Sequence, residues 1–264
     1  MRRVRQLAFV LVALGLAATA AAGATPPSWR WPARLALLFG LPLAASVAAS
    51  LLLPRERGRE GSSARVAGTG RLHAVIAAAI LIDLAPIGIG YLLGWTTFTF
   101  GEQALEARKL LALPLALPFT IAAATLGTEW ALRARLYEAG MRAGNPGDSA
   151  RLSVVAGTAL AMPFFAPGFQ AASLGVLLSW LAISLLREAT SLVLFRAGGL
   201  LPVGAWRGSL VAIEAFGLAD WSLYHFPMAT YVSSEPAFDA LRVTGPAAAL
   251  GLVVFASRRL KARA

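Results

Sequence analysis

About eight apolar blocks, separated by short arginine-bearing segments, confine this chain to a helical bundle in lipid. The blocks are Leu7–Ala22, Ala33–Leu53, His73–Trp95, Leu110–Glu129, Leu152–Ala166, Gln170–Leu186, Leu200–Ala219 and Ala240–Ala256. A spanning helix needs roughly 17 apolar residues or more, and most of the blocks meet that length. Inside a bilayer the backbone must satisfy its own hydrogen bonds, which a helix does. The expectation is an all-α, polytopic transmembrane bundle of about eight spans.

Charge supports this reading. Only 14% of the 264 residues are charged and 58% are apolar, where a soluble chain carries about a quarter charged residues. The net charge of +11 would point to nucleic acid in a soluble protein. Here the arginines cluster between apolar blocks, as orientation signals do, so nucleic acid is not an expected partner and the lipid bilayer is. Alanine and glycine are abundant, which suits close packing of helices in lipid. There is no cysteine, so disulfides, thiolate metal sites and cysteine nucleophiles are excluded.

Residues 1–24 open Met1-Arg2-Arg3-Val4-Arg5 and run into an apolar core with a small-residue tail. That pattern fits a secretory signal peptide as well as a retained first helix. Residues 25–264 read as one multi-pass domain. Trp29 and Trp31 mark an interface, and the basic 54–72 segment reads as a mobile linker. Residues 96–109 read as a loop with room for a short surface helix, and 220–239 as an acidic loop. Arg187-Glu188 and Arg196 interrupt the apolar residues Ala189–Phe195, a stretch that reads either as a continuing helix or as an interfacial one. If eight spans alternate, the N-terminus, 54–72, 133–151, 187–196 and the C-terminal tail share one side. The positive-inside rule makes that side cytoplasmic, with both termini there, in an inner membrane.

Charged groups within the spans cost about 2.5–3.5 kcal/mol each and point to function. Asp83, Glu129, Arg207 and Glu214 are the candidates. Asp83 is near mid-span beside Pro86, Gly88 and Gly90, where a kink is expected. Arg207 and Glu214 lie seven residues apart and share a helix face. A polar network of Asp83, Arg207 and Glu214 would either hold the bundle together or line an ion path. Glu129 and Arg133, at i and i+4, form a common helix pair. The two histidines, His73 and His225, fall on opposite faces of the bilayer in this topology and cannot share one ion. A protein-supplied zinc site is therefore not expected.

The stretch Thr128-Glu129-Trp130-Ala131-Leu132-Arg133-Ala134-Arg135-Leu136 resembles the first motif, E-E-x-x-x-R, of the CPBP (CAAX protease and bacteriocin-processing, or Abi) intramembrane metalloproteases. Glu129 takes the place of the second glutamate and Arg133 that of the arginine; Thr128 stands where the first glutamate belongs. Phe195-Arg196-Ala197-Gly198-Gly199-Leu200-Leu201-Pro202-Val203 is similar to that family's R-T-G-S-L-x-x-P passage. The resemblance covers about residues 110–216. It implies catalytic roles for Glu129 and Arg133, with zinc as cofactor if the family chemistry survives. The chain departs from the family at both motif histidines: Phe164 or Phe165 occupies the first position, and the second falls near Arg207. The resemblance with these departures implies a peptidase-like scaffold without its metal ligands, acting by binding a membrane protein or peptide. A transporter using Asp83, Arg207 and Glu214, and a purely structural multi-pass protein, are the other readings.

Overall fold

A computed structural model describes residues 1–26, 33, 36–53, 72–100, 107–165, 173–214, 218–220, 229–233 and 237–261. Eight helices form among them. They are α1 (Arg2–Gly23), α2 (Ala36–Leu52), α3 (Leu72–Leu92), α4 (107–142), α5 (Pro146–Ala161), α6 (Leu174–Gly198), α7 (Leu200–Ala212) and α8 (Ala237–Lys261). Each corresponds to one apolar block of the sequence. Five are long and apolar enough to cross a membrane: Arg2–Gly23, Leu72–Leu92, Pro114–Arg142, Leu174–Gly198 and Ala237–Ala256. Among the described residues five helices meet that measure, where about eight spans are expected from the sequence.

The elements differ from expectation at two places. Residues 96–109 include a strand, β1 (Thr96–Phe100). The 220–239 region, expected to be a loop, contributes β3 (Ala229–Ser233), with β2 (Leu218–Asp220) just before it. β3 lies centrally, antiparallel to β1 and parallel to β2. Of the two readings of the stretch after Leu186, the continuing helix is the one present: Arg187 and Glu188 lie inside the 25-residue α6. The linker at 54–71, Trp29, Trp31 and His225 lie outside the described residues. His73 is exposed in the first turn of α3.

Local sequence explains several boundaries. Asn145 caps α5 by accepting a hydrogen bond from the Asp148 N–H at 3.3 Å, and Pro146 takes the first helical position, where its missing N–H costs nothing. Ser173 caps α6 through the Val176 N–H. Gly199, at φ 84°, makes the tight turn from α6 into α7, a backbone angle that favours glycine. Pro114 and Pro118 lie inside α4. After Ala123 that helix widens into a 14-residue π-helical stretch, Ala124–Tyr137.

The largest apolar core joins four helices. Val4, Leu7 and Leu11 of α1 pack with Leu41 and Ala45 of α2, Leu132 and Leu136 of α4, and Ala156 and Leu160 of α5. A second core joins Ala79 of α3, Trp206 and Leu210 of α7, and Ala249 of α8. α7 also packs along α4, which ties the two groups together.

Two contacts define the ends of the bundle. At one end Tyr137, Phe195 and Val203 meet, so α4 and α6 finish where α7 begins. Arg5 pairs there with Asp148 at 3.7 Å, bringing in the start of α1. At the other end the sheet joins the segments that come after α3 and α7 to the one that precedes α8.

Candidate functional site

The π-helical stretch of α4 carries Glu129 and Arg133, and both side chains are fully buried. Long π-helical runs are rare, and short ones recur at functional sites. Helix pairs at this spacing are commonly solvated; this one is not. The expected pairing is present, with Arg133 Nε donating to Glu129 Oε2 at 3.1 Å.

The pair is half of a closed ring. Arg133 Nη2 donates to Glu188 Oε2 at 2.6 Å and to the Glu188 carbonyl at 3.2 Å. Arg207 from α7 closes the circuit, with Nε bonded to Glu129 Oε1 and Nη2 to Glu188 Oε1. All four carboxylate oxygens of Glu129 and Glu188 thus accept from arginine, and two carboxylates balance two guanidiniums. Arg133 Nη1 also donates to Ser153 Oγ at 2.5 Å, and that hydroxyl donates to the Leu132 carbonyl at 3.0 Å. α5 therefore supports the ring from outside. Gly157, also on α5, leaves the room that Glu188 fills; a Cβ there would collide with its carboxylate.

A second cluster lies beside the first. Arg187, adjacent to Glu188 on α6, donates from Nη1 to Glu214 Oε1 at 2.7 Å and from Nη2 to Asp83 Oδ1. Its three side chains are 13–17% exposed. The network expected from Asp83, Arg207 and Glu214 is therefore divided. Asp83 and Glu214 meet through Arg187, while Arg207 belongs to the ring.

Sequence reasoning missed Glu188, Arg187 and Ser153. Two adjacent opposite charges inside 25 helical residues were a legible signal for the first two. Ser153 carried none.

Two small cavities flank Arg207. One, of about 30 Å³, is lined by Thr128, Phe164 and Arg207 among others. The other, of about 50 Å³, lies between the two clusters and is lined by Phe164, Phe165, Ser184, Arg187, Trp206 and Arg207, among others. Ser184 Oγ, Trp206 Nε1 and Arg187 Nε are buried without hydrogen-bond partners. A cavity of that size has room for a few waters, each able to satisfy about three such groups.

The donor set does not fit zinc. Among the described residues no three His, Cys, Asp or Glu side chains converge, and every oxygen of the two ring carboxylates already accepts from a guanidinium. Thr128, Phe164 and Arg207 line one cavity together, and none of them is a metal ligand. Phe165, the alternative to Phe164, stacks on Trp180 with ring centroids 5.5 Å apart.

Fold and site together define a class: an α-helical bundle with five helices long and apolar enough to cross a membrane, built around a buried, charge-balanced ring of ion pairs. No protein-family model, no curated protein and no solved structure matches the chain.

Proposed function

We propose that this is a multi-pass inner-membrane protein on a CPBP-like scaffold, in which an arginine-centred ring replaces the hydrolytic centre. It acts by binding a membrane protein or peptide, with both termini cytoplasmic. The observation that carries the reading is the convergence of Thr128, Phe164 and Arg207 on one cavity. These positions are far apart in sequence, and within the sequence only the resemblance puts them together. Arg207 supplies the second positive charge that, with Arg133, balances Glu129 and Glu188. Metal-activated water needs the metal, so no peptidase step is assigned to these residues.

Parity supports a crossing by α2, one of the shorter of the eight helices. Arg5 and Asp148 meet at 3.7 Å, so the starts of α1 and α5 share an end. That requires an even number of crossings between them, which the three long helices α1, α3 and α4 do not supply. α2, at 17 residues, is about 25 Å long and supplies the fourth.

Metal analysis of the purified chain tests the proposal. Zinc well below one equivalent is expected. Stoichiometric zinc that is lost in Glu129→Ala would overturn it. The site reading as a whole fails if Glu129→Ala and Arg133→Ala leave folding and phenotype unchanged.

The second cluster favours one other reading, a transporter-like protein. Two carboxylates share one arginine beside the 50 Å³ cavity, and all three are partly exposed. Proton or ion flux in proteoliposomes, abolished by Asp83→Asn, would favour it over the first.

A further inference from the structure

We propose that the outer face of α1 binds an anionic phospholipid, its phosphate held by Arg2 and Arg5. A groove of about 620 Å³ lies between the start of α1 and the end of α2, lined by Arg2, Arg5, Gln6, Phe9, Val10 and Leu52. Arg2, Arg5, Gln6 and Phe9 are spaced i, i+3, i+4 and i+7, so they share one helix face. The inner face of α1, with Val4, Leu7 and Leu11, is committed to the main core. The outer face is left uncovered: Phe9 is 73% and Leu16 58% exposed.

That face changes character along its length as a phospholipid does. Its first turn is cationic and amide-bearing. From Phe9 to Ala20 the exposed residues Phe9, Val10, Ala13, Leu16, Ala17 and Ala20 carry no charge. Those roughly 11 steps rise about 17 Å along a helix, close to the roughly 15 Å depth of one leaflet's hydrocarbon. Leu52, at the end of α2, forms the facing wall.

The headgroup must be anionic. Among the described residues Arg2 makes no ion pair. Arg5 makes one, with Asp148 at 3.7 Å between exposed side chains, a geometry that restrains an arginine weakly. Two guanidiniums three residues apart present several N–H donors in planar forks, which match phosphate oxygens. The groove also lies at the basic end of the bundle, where anionic headgroups accumulate if that end is cytoplasmic. The inference needs the chain to lie in a membrane but is independent of how the ion-pair ring is read.

The test is lipid retention by the purified full chain in detergent, read by native mass spectrometry during titration with phosphatidylglycerol or phosphatidylcholine. Two basic residues near a headgroup predict a preference of about 30-fold for phosphatidylglycerol. The double variant Arg2→Gln with Arg5→Gln should lose most of it. Its unfolding midpoint without added lipid should stay unchanged, since both side chains are exposed. Arg142→Gln with Arg151→Gln removes the same charge from exposed positions nearby and should keep the preference. Gln6→Glu, which adds a carboxylate to the groove and removes no described contact, should lower phosphatidylglycerol retention by itself. Equal retention of the two lipids by the unaltered chain overturns the proposal and leaves the groove to a protein partner. A preference that survives in the Arg2/Arg5 variant overturns it as well. So does one that falls equally in the Arg142/Arg151 variant, because the attraction would then be diffuse.

Discussion

At Arg207 one guanidinium satisfies an oxygen on each of two buried carboxylates. Removing it leaves both half-paired in a low-dielectric centre. Breaking a buried pair by deleting one partner costs about 3–5 kcal/mol, so Arg207→Ala should lose stability of that order in detergent unfolding. Glu188→Gln with Arg207→Gln restores charge balance. Its cost should fall short of the sum of the two single changes, which a double-mutant cycle would measure. Gly157→Ala should destabilise by roughly 1–3 kcal/mol, because the added methyl meets the Glu188 carboxylate and the crowded centre must yield. That penalty should shrink when Glu188 is shortened to serine; an unchanged penalty would place the collision elsewhere. Three of the four ring residues are legible in the sequence. Glu129 and Arg133 stand out at i and i+4, and Arg207 is a charge inside an apolar block. Glu188 is visible with Arg187 as a charged pair just past Leu186, but with the stretch open to a continuing or an interfacial helix its depth in the bundle is not. Which carboxylate an arginine chooses depends on helix packing, and no spacing within one helix reports that.

α1 is built into the main core, with Leu7 and Leu11 fully buried against α4 and α5. Its sequence alone fits a signal peptide as well as a retained helix. Its packing predicts retention: intact-mass measurement should find residues 1–24 on the mature chain. Leu11→Ala should cost about 2–5 kcal/mol, as for other buried leucines. A mature chain that begins after residue 24, or a neutral Leu11→Ala, would contradict this. The helices are legible because each apolar block is a run of helix-length hydrophobicity. The sheet is not, although Thr96-Thr97-Phe98-Thr99-Phe100 is rich in β-branched and aromatic residues. Five residues between two apolar blocks look like a loop until distant strands are known to pair with them. β3, far along the chain from β1, gives no local sign of its partners.

On the scale of the whole molecule, the two ends of the bundle differ in charge as well as in contacts. The end that gathers Arg5, Tyr137, Phe195 and Val203 is also where the basic segments 133–151 and 187–196 lie. Because the chain has no cysteine, single introduced cysteines can report sidedness without background. Asn145→Cys should resist a membrane-impermeant thiol reagent applied from outside intact cells, and Ser233→Cys in β3 should react. The opposite pattern would invert the orientation. The ring has a consequence for how such a bundle enters the membrane. α4 brings Glu129 with Arg133, α6 brings Arg187 with Glu188, and α7 brings Arg207 followed by Glu214. Each of these three legs therefore arrives with its deep charges already cancelled within itself, whereas α3 brings Asp83 alone and meets its partner only in Arg187 of the later α6. The crossed pairing of the finished ring is then an exchange of partners among neutral helices after insertion, so the order of synthesis and the order of docking are free to differ.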